Sequence, residues 1–523
     1  MNKILVILFI AFYSSISAQT NLKVKNNTSL TVLEGSNIDV TGDFQSEATA
    51  DVVLKSGASI IVNGSKTGNI TYKRNLLTDS YFLVSPPVSG QDYDDTYVSS
   101  YNIDEALVGG TNINAIATYT STSNNWDWME DGETLSFTSG VGYNVKLETN
   151  GGEIPFTGEI PGDLVTQNGG VDFTLSYDSN SSGASGYDGY NWNLVGNPYP
   201  AYIKNSDFLT NSNIEPTIWT YNSTNQGSDN ESLGGYQVRT SQIGDSANGD
   251  FYIAPGQGFF VKSKSEGTIN FSEANQYHQI EIGGSDTFQR TTPLTRIKLK
   301  VNNGTSSRKC DVYYLDNVTL GFDYGYEGQL YGGGGNPNSL AIYTQLLENN
   351  EDVNYQTQSL PNTNYESMVV PVGVDALANA EITISAELNN FPANINVFLE
   401  DKLENTFTRL DATSNFSTTL STDVNSTGRF YLHTTSASLS TGSVLNNNPV
   451  SIYTTTRDNL RIVGVQSGTA NVKLFNILGK QVLNTSFEGT GSNDIHLPAL
   501  SNGVYIVQVK NETGTINKKV IIE

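Results

Sequence analysis

Side chains that could act as nucleophiles, general bases or zinc ligands are scarce in this 523-residue sequence. Its imidazoles are His278, His433 and His496, and its one thiol is Cys310. A Ser–His–Asp hydrolase needs a serine in a tight, glycine-flanked turn, and no serine here stands in such a pattern. One cysteine and scattered histidines also lack the ligand spacing of a structural zinc site. We therefore predict no catalytic residue and no enzymatic activity.

Carboxylates on irregular loops are the candidate metal ligands. The glycine- and tyrosine-rich stretch YLDNVTLGFDYGYEG contains three acidic residues, Asp316, Asp323 and Glu327. Hard oxygen ligands on such a loop suit Ca²⁺, although the ligand spacing of an EF-hand is missing. These three residues are our candidate calcium site, and capping or turn roles for the same carboxylates are the alternative.

Two other acidic groups favour structural roles. Glu400 and Asp401 are adjacent, so in a strand their side chains face opposite ways, which is poor geometry for a glycosidase carboxylate pair. The stretch QDYDDTY (Gln91–Tyr97) clusters three aspartates. We interpret it as a solvated loop, with a cation site as the alternative.

A pair of tryptophans is the candidate ligand surface. The stretch NNWDWMED places Trp126 and Trp128 two residues apart, which puts both rings on one face of a predicted strand. Paired rings flanked by polar groups are how carbohydrate-binding surfaces stack on sugars. The same spacing also fills the core of a β-sandwich, so a ligand face and a core position both stay open.

The composition predicts an all-β protein of several domains. A chain of this length exceeds one ordinary core, and hydrophobic residues make up 37% of it, enough for folded domains. Its 49 glycines and many Asn, Ser and Thr residues are typical of short strands joined by frequent turns. A single cysteine cannot form an internal disulfide, so packing or bound ions must supply the stability.

Charge is unevenly distributed along the chain. The formal net charge of −25 would repel nucleic acid and anionic membranes, so we expect neither as a partner. From Ser451 onward there are seven Lys/Arg and five Asp/Glu, a net charge of +2 that leaves −27 on the preceding residues. The tail is therefore electrostatically different from the body.

Residues 1–18 have the pattern of a secretory signal peptide. Lys3 precedes an apolar run from Ile4 to Tyr13, and small residues follow, so we predict cleavage between Ala18 and Gln19. The run is too short to span a bilayer comfortably, and no later stretch approaches the length of a transmembrane helix. We therefore expect an exported protein without a membrane helix.

Strand patterns divide the rest into four parts. Residues 19–75 repeat short alternating apolar runs, which predicts a short β-solenoid, with a plain stack of hairpins as the alternative. Residues 76–279 and 291–438 carry closely spaced strands typical of two β-sandwich or jelly-roll-like domains, the first with long loops. A Ser/Asn-rich linker at 439–449 leads to a compact strand module at 450–523.

The C-terminal module resembles a known export signal. In order it carries KLFNILGKQV with Gly479, HLPALSNGVYIVQVK with Gly503 and Tyr505, and the pair Lys518 and Lys519 before the final strand VIIE. This pattern resembles the type A C-terminal sorting domain of the type IX secretion system of Bacteroidetes. The resemblance implies an immunoglobulin-like fold, recognition by the outer-membrane translocon, and release or anchoring at the surface of a Gram-negative cell.

The body resembles, through WNLVGNPYP, APGQGFFVKS and GRFYLH, large uncharacterised surface proteins of flavobacteria. That family carries no agreed chemistry, so the resemblance implies a location and no reaction. We expect a non-catalytic protein of the cell surface or medium that serves in adhesion or binds glycans or matrix, with Ca²⁺ as its candidate cofactor. A polysaccharide-active hydrolase and a structural surface-layer component are the alternatives.

Overall fold

The chain divides into two compact units, Met1–Ser436 and Ala437–Glu523. The fold is taken from a computed structural model. It describes the following residues: 15–18, 21–162, 169–179, 190–222, 235–243, 251–278, 294–331, 340–350, 353–365, 368–436, 451–456, 458–465, 469–476, 479–488, 491–501, 503–511 and 514–522.

A parallel β-solenoid opens the first unit. Its strands are β1 (Ser15–Ala18), β2 (Leu22–Val24), β3 (Ser29–Val32), β4 (Asn37–Val40), β5 (Phe44–Ser46), β6 (Asp51–Leu54), β7 (Ser59–Val62), β8 (Lys66–Thr67) and β9 (Asn69–Leu76). They stack into three parallel sheets, β1-β4-β7, β2-β5-β8 and β3-β6-β9. Asn37 pairs with Ser59, one coil of 22 residues further on. Inward-facing Val40 and Leu54 are fully buried, so the predicted solenoid is confirmed. Its first strand, β1, lies within the predicted signal peptide and not in the predicted range 19–75.

The middle of the first unit consists of short strands in several small sheets. Its elements are β10 (Tyr81–Val84), β11 (Asp92–Tyr93), α1 (Asp95–Ser100), β12 (Glu105–Val108), β13 (Thr111–Thr120), β14 (Asn125–Glu130), β15 (Leu135–Ser136), β16 (Tyr143–Lys146), β17 (Gly152–Glu159), β18 (Gly170–Leu175), β19 (Trp192–Gly196), β20 (Ile203–Lys204), a 3-10 helix (Asn205–Asp207), β21 (Thr217–Asn222), β22 (Gly235–Thr240), β23 (Tyr252–Ile253), β24 (Gly258–Lys262) and β25 (Gly267–Ser272).

Two of these sheets position the candidate site. One runs β10-β16-β13-β12, with β14 also paired to β13, and the other runs β19-β24-β21-β22. Strand β17 pairs antiparallel with β9, which ties this region to the last coil of the solenoid. A cluster of buried residues joins the two sheets, and it includes Trp192, Trp219 and Phe260.

The last part of the first unit is one large sheet that nearly closes on itself as a barrel. Its strands are β26 (Thr295–Asn302), β27 (Ser307–Leu315), β28 (Gly328–Gln329), β29 (Leu340–Thr344), β30 (Tyr355–Pro361), β31 (Val369–Ala376), β32 (Glu381–Asn389), β33 (Ile395–Asp401), β34 (Thr406–Leu410), β35 (Phe416–Thr419) and β36 (Val424–Ser436). Their order is β34-β33-β36-β31-β29-β30-β27-β26-β32-β35, and β28 pairs with β30. Alternate residues such as Ile297, Leu299 and Val301 fill the interior, as expected for strands with period two.

The second unit is a small two-sheet sandwich. Its strands are β37 (Ser451–Thr456), β38 (Asn459–Val465), β39 (Thr469–Asn476), β40 (Gln481–Glu488), β41 (Gly491–His496), β42 (Gly503–Asn511) and β43 (Gly514–Ile522). They form the sheets β37-β38-β41 and β40-β39-β42-β43. Ile462, Leu474 and Val507 lie fully buried in its core. The all-β prediction is thus confirmed for both units, and α1 has only six residues.

Within the described residues, no helix is long and apolar enough to cross a membrane.

Candidate functional site

The hairpin β13–β14 presents the two predicted tryptophans. Trp126 pairs with Tyr119 across the hairpin, and Trp128 pairs with Ala117. Asn124 closes the turn in the left-handed region, with φ of 50°, a conformation that asparagine tolerates better than most residues. The Tyr119 hydroxyl donates to Asn124 Oδ1 at 2.5 Å. The turn thereby fixes Tyr119 beside Trp126.

Four rings form a continuous row, which we call the aromatic strip: Tyr81, Trp128, Trp126 and Tyr119. Ring centroids are 5.7 Å apart for Tyr81 and Trp128, 6.2 Å for Trp128 and Trp126, and 5.4 Å for Trp126 and Tyr119. Tyr81 is 39% exposed, and the other three rings are half-buried. The strip is therefore neither core nor free surface, since each ring packs on the protein and keeps part of its area in water.

The strip rests on a rigid aromatic base. Phe260 of β24 is fully buried and lies edge-on to Tyr119 at 5.0 Å and to Trp126 at 6.1 Å. Behind it Trp192 and Trp219 pack in a T-shape at 4.5 Å, and the indole N–H of Trp219 donates to the Gln329 carbonyl at 2.8 Å. Trp192 is 1% exposed and is therefore a core residue. Such packing restrains the rings above it.

A charged pair borders one end of the strip. The Lys146 ammonium lies 5.8 Å from the centre of the Tyr81 ring and forms an ion pair with Asp104. The hydrogen bond to Asp104 raises the pKa of Lys146, and partial burial raises the pKa of Tyr81. The lysine is therefore positive and the phenol neutral at physiological pH. This end can donate hydrogen bonds from the ammonium and the phenol and accept them at the carboxylate.

Two of the three predicted calcium ligands, Asp323 and Glu327, accept hydrogen bonds from nearby backbone and hydroxyl groups. Asp323 Oδ2 accepts from the Thr319 amide at 2.5 Å and from its hydroxyl at 3.1 Å. Glu327 Oε2 accepts from the Asp323 amide at 2.6 Å, and its Oε1 accepts from the Ser359 amide at 3.2 Å. Glu327 is 2% exposed. These are turn and capping contacts, the alternative that the sequence left open.

The third predicted ligand, Asp316, has a different hydrogen-bond partner from Asp323 and Glu327. Asp316 accepts from the Asn362 side chain at 2.7 Å. In the part of the chain that the structure describes, no group of three or more Asp, Glu, His or Cys side chains could hold a metal ion. Burial also raises the pKa of Glu327 to about 8, so at neutral pH it is mostly protonated and a poor ligand for a hard cation. Calcium binding stays a prediction without support from this geometry.

A serine, a histidine and an aspartate do meet in the solenoid. Ser59 Oγ lies 2.8 Å from His278 Nδ1, and His278 Nε2 lies 3.0 Å from Asp39 Oδ1. Ser59 is 1% exposed, whereas the Asp39 side chain is 40% exposed. In a hydrolase the serine must reach substrate and the aspartate is sheltered, so the exposure here is the reverse. The contacts tie the segment after β25 to strands β4 and β7.

The remaining acidic groups are also paired. Glu400 lies 2.8 Å from His433 Nε2. The fully buried Asp401 accepts three hydrogen bonds from the Arg429 guanidinium, at 2.7, 3.0 and 3.2 Å. The two carboxylates thus point to different partners, as expected for adjacent strand residues.

The aspartate-rich stretch after Gln91 contains a cap. Asp94 is the N-cap of α1 and accepts from the Tyr97 amide at 2.9 Å. Asp95 accepts from the Gly132 amide at 3.1 Å. Asp92 accepts from the Ser136 hydroxyl at 2.5 Å. These aspartates accept hydrogen bonds that stabilise the local structure, so the stretch is not simply a solvated loop.

The residues of the export signals lie at turns and edges. Gly479, with φ of 79°, occupies the turn between β39 and β40, and Gly503 begins β42. Tyr505 is 7% exposed, and its hydroxyl donates to the Ser501 carbonyl at 2.8 Å. Lys518 and Lys519 are exposed on the edge strand β43. Ala18 ends β1, and Gln19 lies outside the described residues, so the cleavage site stays a prediction.

Two members of the strip were missed by sequence reasoning. Tyr119 had a usable signal, because the polar stretch STSN (residues 121–124) is a hairpin turn that sets Tyr119 and Trp126 opposite each other. Tyr81 had none, since it reaches Trp128 only through the pairing of β10 with β16 and of β16 with β13.

Comparison with known proteins gives two family matches. Residues 7–433 match the family described as "Domain of unknown function (DUF8693)", and residues 448–523 match the secretion system C-terminal sorting domain. The predicted sorting domain is thereby confirmed. No curated protein matches.

One similar solved structure is the "Biofilm associated protein - BSP domain", at 11% identity over 85% of this chain and 96% of that chain, with a TM-score of 0.17. At so low a TM-score nothing about this chain follows from the likeness.

Proposed function

The chain belongs to the family of the domain of unknown function DUF8693, and we propose that it is a non-catalytic, glycan-binding adhesion protein of the cell surface. Its residues 448–523 are a type IX secretion sorting domain, so the protein is exported to the cell surface or the extracellular space. The body that is exported with this signal binds sugar chains through the aromatic strip.

The strip itself carries the proposal. Sugar rings present flat C–H faces that stack on aromatic rings, and hydroxyls at their edges that need polar partners. Four consecutive rings, with centroids 5.4–6.2 Å apart and planes tilted 44–70° to one another, offer an extended track of partly exposed aromatic surface. Lys146, Asp104 and the Tyr81 hydroxyl supply polar groups at one end. A track of this kind suits a chain of several sugar units better than a single small molecule.

Rigidity of the rings also favours binding. Ordering a mobile side chain costs free energy on association. Phe260, backed by the buried pair Trp192 and Trp219, restrains Tyr119 and Trp126 from behind, so that cost is small for these two rings. The net charge of −25 disfavours polyanionic chains, and neutral polysaccharides are therefore the expected ligands.

The test compares two exposed tyrosines in similar settings. Tyr81 is 39% exposed with Lys146 at 5.8 Å from its ring, and Tyr324, outside the strip, is 51% exposed with Lys264 at 5.2 Å. The full chain and its Tyr81→Ala and Tyr324→Ala variants are mixed with insoluble cellulose, chitin and β-1,3-glucan. Depletion from solution gives an apparent affinity, and released reducing sugar is measured in the same tubes.

We expect Tyr81→Ala to weaken binding roughly 3- to 10-fold, the worth of one aromatic contact, and Tyr324→Ala to leave it unchanged. Trp128→Ala should weaken it at least as much, because the indole is larger. Equal losses in the two tyrosine variants would refute the strip as the binding surface. Release of sugar by the parent chain would refute the non-catalytic role.

A further inference from the structure

The outer face of the four-stranded sheet in the second unit carries lysines around apolar residues. Cross-strand partners lie on the same face of a sheet. Lys473 pairs with Gln508, and Ile506 pairs with both Phe475 and Lys519. These residues therefore share one face with Lys510, which lies two positions beyond Gln508 on β42.

The opposite face of the same strands is the core. Leu474, Val507 and Val509 alternate with the residues above and are at most 1% exposed. On the outer face Lys510 and Lys519 are exposed, and Ile506 is 44% exposed. A large aliphatic side chain thus stands in water between lysines. We call this surface the basic face, defined by Lys473, Phe475, Ile506, Lys510 and Lys519.

In the described part of the second unit, the lysines of the basic face have no ion-pair partners. Among the described residues, no ion pair involves Lys473, Lys510 or Lys519. Of the residues that the structure describes, Glu488 is the acid on this face, and it lies at the far end of β40, where its Oε1 accepts from the Thr469 hydroxyl at 3.3 Å. The face is therefore positive in a chain whose preceding residues carry −27.

We propose that the basic face docks on an anionic lipid surface. Lysines that surround an exposed aliphatic residue match a layer of phosphate groups over hydrocarbon, because long lysine stems reach the headgroups while the apolar side chain enters below them. Neighbouring strands of one sheet lie about 4.7–4.9 Å apart, so lysines on β39, β42 and β43 can reach one surface together. The strongly acidic body is repelled by such a surface, so the attraction comes from the second unit.

This inference changes what the net charge implies. A charge of −25 argues against anionic membranes only if it is evenly spread, and here it is segregated. Each lysine near an anionic bilayer contributes about 1 kcal/mol, or roughly fivefold in partition coefficient. Salt screens the attraction within a Debye length of about 10 Å at 0.1 M. A lysine therefore contributes to membrane binding when it lies on the sheet face that contacts the bilayer, and much less when it lies on the opposite face.

Adjacent lysines on β43 provide a matched pair for the test. Lys518 and Lys519 are both exposed and equally charged, but Lys518 pairs with the buried Val507, whereas Lys519 pairs with Ile506. The full chain is sedimented with vesicles of phosphatidylcholine containing 30% phosphatidylglycerol, and with vesicles of phosphatidylcholine alone, at 0.1 M salt. Circular dichroism confirms that each variant is folded.

We expect binding to the anionic vesicles only, and its loss at 0.5 M salt. Lys519→Ala should weaken it about fivefold and Lys518→Ala less than twofold, whereas replacing Lys473, Lys510 and Lys519 together should weaken it about 100-fold. Equal losses for Lys518→Ala and Lys519→Ala would overturn the assignment of the face. Capture by polyglutamate without vesicle binding would assign the face to an acidic protein and overturn the lipid proposal.

Discussion

Replacing Glu327 by glutamine should change how stability depends on pH. Glu327 is 2% exposed, and its two carboxyl oxygens accept from the amides of Asp323 and Ser359. Burial raises its pKa from 4.5 to about 8, even though both amide bonds act to lower it. The folded chain therefore keeps a proton that the unfolded chain gives up in mildly acidic solution.

The sign follows from proton linkage. Between pH 4.5 and about 8 the unfolded chain lacks the proton and the folded chain holds it, so the free energy of unfolding falls as pH rises. The slope is about 1.4 kcal/mol per pH unit, which amounts to roughly 3 kcal/mol between pH 4.5 and 7. Glutamine carries no titrating proton, so the variant lacks this slope. Its amide NH₂ cannot accept a hydrogen bond, which costs about 1–3 kcal/mol at every pH.

We therefore expect Glu327→Gln to be less stable than the parent at pH 5, and the deficit to shrink or reverse by pH 8. Hydrogen–deuterium exchange of the peptides that contain Asp323 and Ser359 measures the local opening free energy, after correction for the intrinsic exchange rate. Glu404→Gln removes an exposed carboxylate and should give a difference from the parent that is flat with pH. A flat difference for Glu327→Gln as well, or a deficit that grows with pH, would refute the reasoning.

Two further substitutions test contacts within the first unit. Arg429→Met leaves the fully buried Asp401 without its cation and should lower the free energy of unfolding by about 3–5 kcal/mol; urea denaturation should show little change for Arg409→Met, whose ion pair is exposed. His278→Ala removes the partner of the buried Ser59 hydroxyl and should cost about 2–3 kcal/mol, and a thermal midpoint equal to that of the parent would contradict this structural role.

Much of the architecture was readable from local patterns. Repeated alternating runs around Val40 and Leu54 predicted the solenoid, with a stack of hairpins as the alternative, because both arrangements bury an apolar residue at every second position. The sorting domain was readable because its glycines and lysines keep a fixed order along the chain. Both features depend on neighbours in sequence or on short repeats, and such neighbours are visible without a structure.

The sequence predicted only two of the four rings of the aromatic strip. Trp126 and Trp128 stood out as a pair, but alternation cannot tell whether a covering element buries both rings. Phe260 packs against Trp126 from another sheet, while Tyr81 arrives through β10, and both are far away in sequence. The calcium prediction shows the same limit, since Asp316 and Glu327 are close along the chain and yet bond to different partners.

By itself the sequence determined the all-β class, the export signal at the C-terminus and the segregation of charge, because each is a property of composition or of local order. Only the tertiary structure decided that the tryptophans are half-exposed, that Glu327 is buried, and that Lys519, rather than Lys518, lies on the face of the sheet away from the core. Those properties depend on which strands pair and what packs over them. Pairing and packing between distant strands are long-range contacts, and local patterns leave many such arrangements equally compatible.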